Sequence, residues 1–127
     1  MIYRKRKTQE QSLQEWLTLY LNSIGVLFCA SAGGMRTSIG TAVKMKRAGY
    51  KKGFPDIGIY EPRGTYHGLF IELKCDNKSG PTDEQTEWQA ELAKRGYLAK
   101  IVPHRLSFRE AQEWIERVVY EYLQLKK

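Results

Sequence analysis

The stretch GFPDIGIYEPRGTYHGLFIELKCDNKSG, Gly53 to Gly80, holds two short apolar runs separated by a Pro/Gly-rich turn. DIGIY (Asp56 to Tyr60) and LFIELKC (Leu69 to Cys75) are rich in strand formers, and EPRGTYHG is short enough to join them as an antiparallel hairpin. Pro55 suits a strand start, where its missing N–H forfeits no ladder bond, and Gly53 permits a sharp bend into the strand. Yet Asp56 opens the first apolar run, and Glu72 and Lys74 sit inside the second. Because strand side chains alternate, Glu72 and Lys74 share one face while Ile71 and Leu73 take the other. The antiparallel partner brings Asp56 to the same end of the sheet. Desolvating like charges is costly unless something neutralises them. Two such carboxylates can hold one hard divalent cation by their oxygens, with the lysine as a further positive charge.

Downstream, SGPTDEQTEWQAELAKRG predicts a helix: Thr82 and Gln85 fit a capping box, acids fill the first turn, bases the last, and Gly96 stands where a C-terminal glycine belongs. YLAKIV (Tyr97 to Val102) predicts a strand, parallel to LFIELKC because a full helix separates them. Ser107 and Glu110 open a final helix through Ala111, Trp114, Ile115, Val118 and Tyr122. Upstream, Leu13, Trp16, Leu17, Tyr20, Leu21 and Ile24 recur at helical spacing from Thr8 until Gly25 stops them. VLFCA (Val26 to Ala30) predicts a buried strand, followed by a loop at the SAGG breaker, and Ser38 to Gly49 has room for a short helix. The expected order is α-β-(α)-β-β-α-β-α in one domain spanning residues 1–127, with no internal repeat or low-complexity tract.

At 42% hydrophobic content the 127 residues can bury a core without staples. Nothing approaches a membrane span, and the basic start, MIYRKRKTQEQSLQ, lacks the apolar region of a signal peptide, so a cytoplasmic protein is expected. Cys29 and Cys75 lie in or at the end of apolar runs without a Cys or His at ligand spacing, which predicts buried free thiols. His67 and His104 have no ligand cluster or nucleophile elbow around them and are expected in turns. The net charge of +7 suggests a polyanionic partner such as nucleic acid. Lys44, Lys46, Arg47, Lys51 and Lys52 concentrate that charge directly before GFPD with no acid among them.

Two more polar residues point toward the hairpin's charged end. Glu10 lies three residues before Leu13 and seven before Leu17, in register with the buried stripe of the first helix. An acid near a helix N-terminus is also favourable in its own right, by about 0.3–1 kcal/mol. Gln85 has its capping role, but its position also lets it reach back toward Lys74.

PD, a spacer, then ExK, in this element order, resembles the PD-(D/E)xK nuclease superfamily. More specifically, EQSLQEWL, GFPD, IELK and TDEQTEWQAELAKRGY occur in the order of the VRR-NUC family, the virus-type replication-repair nucleases. The resemblance covers about Glu10 to Val102. It implies an α/β restriction-endonuclease-like core, a mixed sheet flanked by helices. It implies that Asp56 and Glu72 bind Mg2+, with Mn2+ a possible substitute, that the Leu73 backbone carbonyl adds a ligand, and that Lys74 sits by the attacking water. Gln85 and Glu10 would be accessory catalytic positions, Glu10 a possible further metal ligand. The implied reaction is metal-assisted hydrolysis of DNA phosphodiester bonds. Stand-alone relatives, encoded by phages and bacteria, resemble homodimeric Holliday-junction-resolving enzymes of DNA repair, and two sites related by a two-fold axis would suit a four-way junction cut on two strands. A less selective nuclease acting on flaps, single strands or duplex ends is the alternative within the class. A non-catalytic basic nucleic-acid-binding module is the alternative outside it.

Overall fold

The computed structural model describes residues 8–31, 38–76 and 78–127. In chain order the elements are α1 (Gln9–Ile24), β1 (Phe28–Ala30), α2 (Ile39–Arg47), β2 (Ile57–Ile59), β3 (Leu69–Glu72), α3 (Asp83–Lys94), β4 (Leu98–Ile101) and α4 (Phe108–Gln124). This is the expected order. The strands form one mixed sheet, β1-β2-β3-β4, antiparallel across the first three and parallel between β3 and β4. The readings of the basic N-terminal segment and of most of the loop at the SAGG breaker fall outside the described residues.

Alternation along the strands separates two packed layers. Ile57, Ile59, Leu69 and Ile71 join Leu13, Leu17 and Leu21 of α1 and Ala111, Ile115, Val119 and Tyr122 of α4 in the main core. Each buried leucine of α1 contributes about 1.5–3 kcal/mol. Phe70 points to the opposite face, where its ring meets Phe54, Tyr60 and Tyr97, and Phe54 in turn meets Trp88 of α3 edge-on. The sheet is thus covered by α1 and α4 on one side and by α3 on the other.

The helix ends follow local chemistry. The Thr82–Gln85 and Ser107–Glu110 capping boxes form as the sequence predicts, and Gly25 closes α1 with φ 73°. A third box, Thr8 with Gln11, caps the start of α1.

Three expectations are corrected. VLFCA forms a strand only from Phe28, and that strand is half-exposed, because β1 is an edge strand paired on one side only. Cys29 is consequently exposed; Cys75 alone is the buried free thiol. Ile24 is 41% exposed, because α1 ends there beyond the reach of α4's apolar face. No helix among the described residues is long and apolar enough to cross a membrane.

Candidate active site

The ladder itself brings the charged residues together. Ile57 pairs with Ile71, so continuing the register by one residue sets Asp56 opposite Glu72. Like charges placed directly across a ladder repel, and these two stand at the end of a buried hairpin. Glu72 is 5% exposed, Lys74 is 8% exposed, and Asp56 is half-buried.

Each is positioned from its own element. Asp56 is fixed from both sides: its Oδ2 accepts from the Leu73 N–H at 2.8 Å, and its carbonyl accepts from the Ser31 N–H at 2.8 Å. The Ser31 hydroxyl also donates to the Pro55 carbonyl at 2.8 Å, which ties the end of β1 to the start of β2. Glu72 is held by its backbone, whose carbonyl accepts from Val102 N–H at 3.0 Å beside β4. Lys74 has no hydrogen bond or ion pair to a described side chain within 4.0 Å, yet its charge favours ionisation of Glu72.

The electrostatics expose the problem that this arrangement poses. Burial first, then a hydrogen bond from Glu72 to Asp56, then repulsion from Asp56 raise the Glu72 carboxyl from 4.5 to about 10, against the favourable pull of Lys74. Two carboxyl groups can hydrogen-bond each other only by holding a proton between them. A divalent cation would fill the same role with greater charge, and Mg2+ characteristically binds one or two carboxylates together with waters and substrate phosphates. The donor set therefore fits such a cation.

These residues open onto a polar cavity of about 270 Å³, lined by Glu10, Gln11, Gln14, Asp56, Glu72, Lys74, Gln85 and their neighbours Thr8, Gly53, Phe54 and Leu73. Each predicted accessory position has its place in it. Glu10 is half-buried on the α1 wall, and its charge adds to the repulsion felt by Glu72. It does not complete an acidic triad: among the described residues no three His, Cys, Asp or Glu side chains gather at metal-binding geometry. Gln85 lines the opposite wall, with its Oε1 accepting from Thr82 N–H at 3.0 Å, so its capping and cavity positions coexist. Gly53 makes that wall possible, since at φ 89° a Cβ there would lie 2.7 Å from Glu84 backbone.

Sequence reasoning missed Gln11 and Gln14. Gln11 had a legible signal, the T-x-x-Q capping pattern at Thr8; Gln14 had only its place one turn beyond Glu10. Among the glutamines on the wall, Gln14 is the one whose amide makes no hydrogen bond to a described residue, whereas Gln11 and Gln85 each accept at Oε1 from the N–H of a cap residue.

The basic cluster divides. Lys44, Lys46 and Arg47 occupy the last turn of α2, which buries none of its residues. Lys51 and Lys52 lie exposed in the turn leading to Gly53. Lys52 is not without an acidic counterpart as its sequence neighbourhood suggests: it pairs with Glu84 of α3 at 3.4 Å.

No protein-family model matches the sequence, and no curated protein matches it. Solved structures do. One named "VRR_NUC domain protein" is 28% identical, superposes with a TM-score of 0.73, and aligns over 97% of this chain and 94% of its own. Another, named "VRR_NUC domain", is 24% identical with a TM-score of 0.55, over 87% of this chain and 97% of its own, and supports the fold alone.

Proposed function

Starting from a chain that carries the VRR-NUC nuclease-domain fold with its restriction-endonuclease-like core, we propose that it is a Mg2+-dependent, structure-specific DNA endonuclease acting on branched DNA as a homodimer. The observation that carries this reading is the buried cross-strand pair Asp56–Glu72 with Lys74 beside it at the mouth of a polar cavity. A packing role would not place two acids against each other. A phosphate-binding role alone would not aim them at a polyanion.

Asp56, Glu72 and the Leu73 carbonyl would hold the cation, which when bound polarises the scissile phosphate and acidifies an attacking water. The bond from Leu73 N–H keeps Asp56 in one orientation, so little reorganisation is needed as charge develops. Lys74, buried and without a competing ion pair among the described residues, places its side-chain nitrogen where it can orient the nucleophile and offset the charge growing on the phosphate. Glu10 would hold water or a second cation from the α1 wall, and Gln85 would brace the cavity from the start of α3. Lys44, Lys46, Arg47, Lys51 and Lys52 meet backbone phosphates on the β2 side. A cytoplasmic setting, in which Cys29 and Cys75 stay reduced, belongs to the same proposal.

A two-fold dimer presents two such sites to the two strands that must be cut in a four-way junction. The test is a cleavage panel of four-way junction, flap, single strand and linear duplex, with Mg2+, Mn2+ or EDTA, alongside light scattering at micromolar concentration. The expected result is metal-dependent cutting, fastest on the junction, by a species of twice the chain mass. Equal cutting of all substrates by a monomer would replace junction resolution with a general endonuclease. DNA binding without cutting under any metal would reduce the protein to a binding module.

A further inference from the structure

The basic residues preceding β2 account for only one flank of the cavity. Parallel pairing of β3 with β4, Glu72 against Ile101, means that both strands leave the sheet at the Asp56–Glu72 end. The segments that follow stay together: Asp76 N–H donates to the Leu106 carbonyl at 2.8 Å, and a Cβ on Gly80 would stand 3.6 Å from Cε1 of His104. They form a ledge next to Lys74, on the side away from β2.

That ledge carries Lys78, His104 and Arg105, with Asp76 as the acid within it. Lys78 and Arg105 are exposed, and neither has a carboxylate within 4.0 Å among the described residues. In this they resemble Lys44, Lys46, Arg47 and Lys51 of the other basic cluster, whereas Lys94 and Arg95 pair with Glu91 and Arg109 pairs with Glu113 along their helices. Arg105 instead meets the neighbouring ring, Nε donating to His104 Nε2 at 3.4 Å. The carboxylate pair thus has cations in the turn before β2, Lys51 and the Glu84-paired Lys52, and others in the segments after β3 and β4, Lys78 and Arg105.

We propose that this ledge is a second phosphate-binding surface, so that nucleic acid crosses the end of the sheet at right angles to the strands and is gripped on both sides of the cut. This rests on the nuclease reading above. β2 and β4 lie two strand spacings apart, about 10 Å, while a nucleic-acid strand advances about 3.4 Å per phosphate. Several phosphates thus span from one cationic flank to the other. The carboxylates between them leave the central phosphate to the bound cation, and the flanks supply the attraction that the acids remove.

The test is binding of a fluorescent DNA four-way junction in EDTA, at several salt concentrations, by the wild type and by the Lys78→Gln/Arg105→Gln variant. Loss of two contacts should flatten the slope of log Kd against log salt by about two units with the melting temperature unchanged. Single methylphosphonates in the DNA should identify the phosphates involved. Those insensitive to further loss in this variant should lie on the opposite side of the cavity's phosphate from those matched to Lys51→Gln/Lys52→Gln. An unchanged slope, or both pairs mapping to the same phosphates, overturns the proposal. Failure of the nuclease reading would show separately, as absence of metal-dependent cutting by wild type that still displays the slope change.

Discussion

One hairpin carries carboxylates at both ends, one at the turn and a pair at the open end, and the two ends treat them in opposite ways. At the turn end, Glu61 is surrounded by donors: its Oε2 accepts from Leu27 N–H at 2.9 Å, Arg63 stands 3.8 Å from its Oε1, and its carbonyl accepts the Tyr122 hydroxyl at 2.7 Å. These contacts join the hairpin turn to the start of β1 and to α4. At the open end, Asp56 and Glu72 face each other, with, among the described residues, a single backbone donor to the Asp56 carboxylate and a lysine that makes no ion pair within 4.0 Å. The first end is a polar cluster that holds a fold together. The second keeps unresolved charge in a cavity, which a fold tolerates only where a ligand completes it.

The contrast can be broken most forcefully at the open end. Asp56→Asn, Glu72→Gln or Lys74→Ala should lower metal-dependent cleavage by about a thousandfold or more while the protein stays folded, as measured by turnover and circular dichroism on the same samples. Glu10→Gln should lose less. Wild-type turnover in Lys74→Ala would refute the role given to that lysine.

A second effect concerns stability without metal. The Glu72 carboxyl is raised in the folded state, so its proton-linked stabilisation is complete below the unfolded value of 4.5 and is lost as pH climbs toward about 10. In EDTA the melting temperature of the wild type should therefore fall between pH 6 and pH 9 (assay settings of about these values suffice), and Glu72→Gln should flatten that fall. A wild-type curve that rises over the same interval would contradict the shared proton.

At the turn end the expectation reverses. Tyr122→Phe leaves the Glu61 carbonyl without its donor and should cost about 1–3 kcal/mol in chemical denaturation, with turnover per folded molecule unchanged. A loss of turnover at full stability would mean that the two ends are coupled. The smallest effect is expected at the cavity wall: Gln14→Met, similar in shape but without the amide, should raise KM a few-fold with little change in kcat or melting temperature. A change in kcat alone would move Gln14 into the chemistry.

Much of this architecture could be read from the sequence because its signals are local. The α3 and α4 caps are four-residue patterns, the hairpin is two runs and a turn, and Asp56, Glu72 and Lys74 stand out as charges in apolar company. Features set by distant neighbours could not be read in the same way. Whether VLFCA is central or at an edge depends on strand order, which leaves Cys29 exposed although its own run is apolar. The Lys52–Glu84 pair and the Tyr122–Glu61 bond join segments that no local pattern connects. Gln14 reaches the cavity only because the start of α1 wraps the end of the sheet.

The most direct test of the central claim is calorimetric titration of Mn2+ into the metal-free protein at about pH 8, in two buffers of different ionisation enthalpy. A cation that replaces the proton held between Asp56 and Glu72 should bind with net proton release, and Glu72→Gln should lose both the release and most of the affinity. Mn2+ binding with no proton release, or binding unaffected by Glu72→Gln, would show that the two carboxylates are not the metal site.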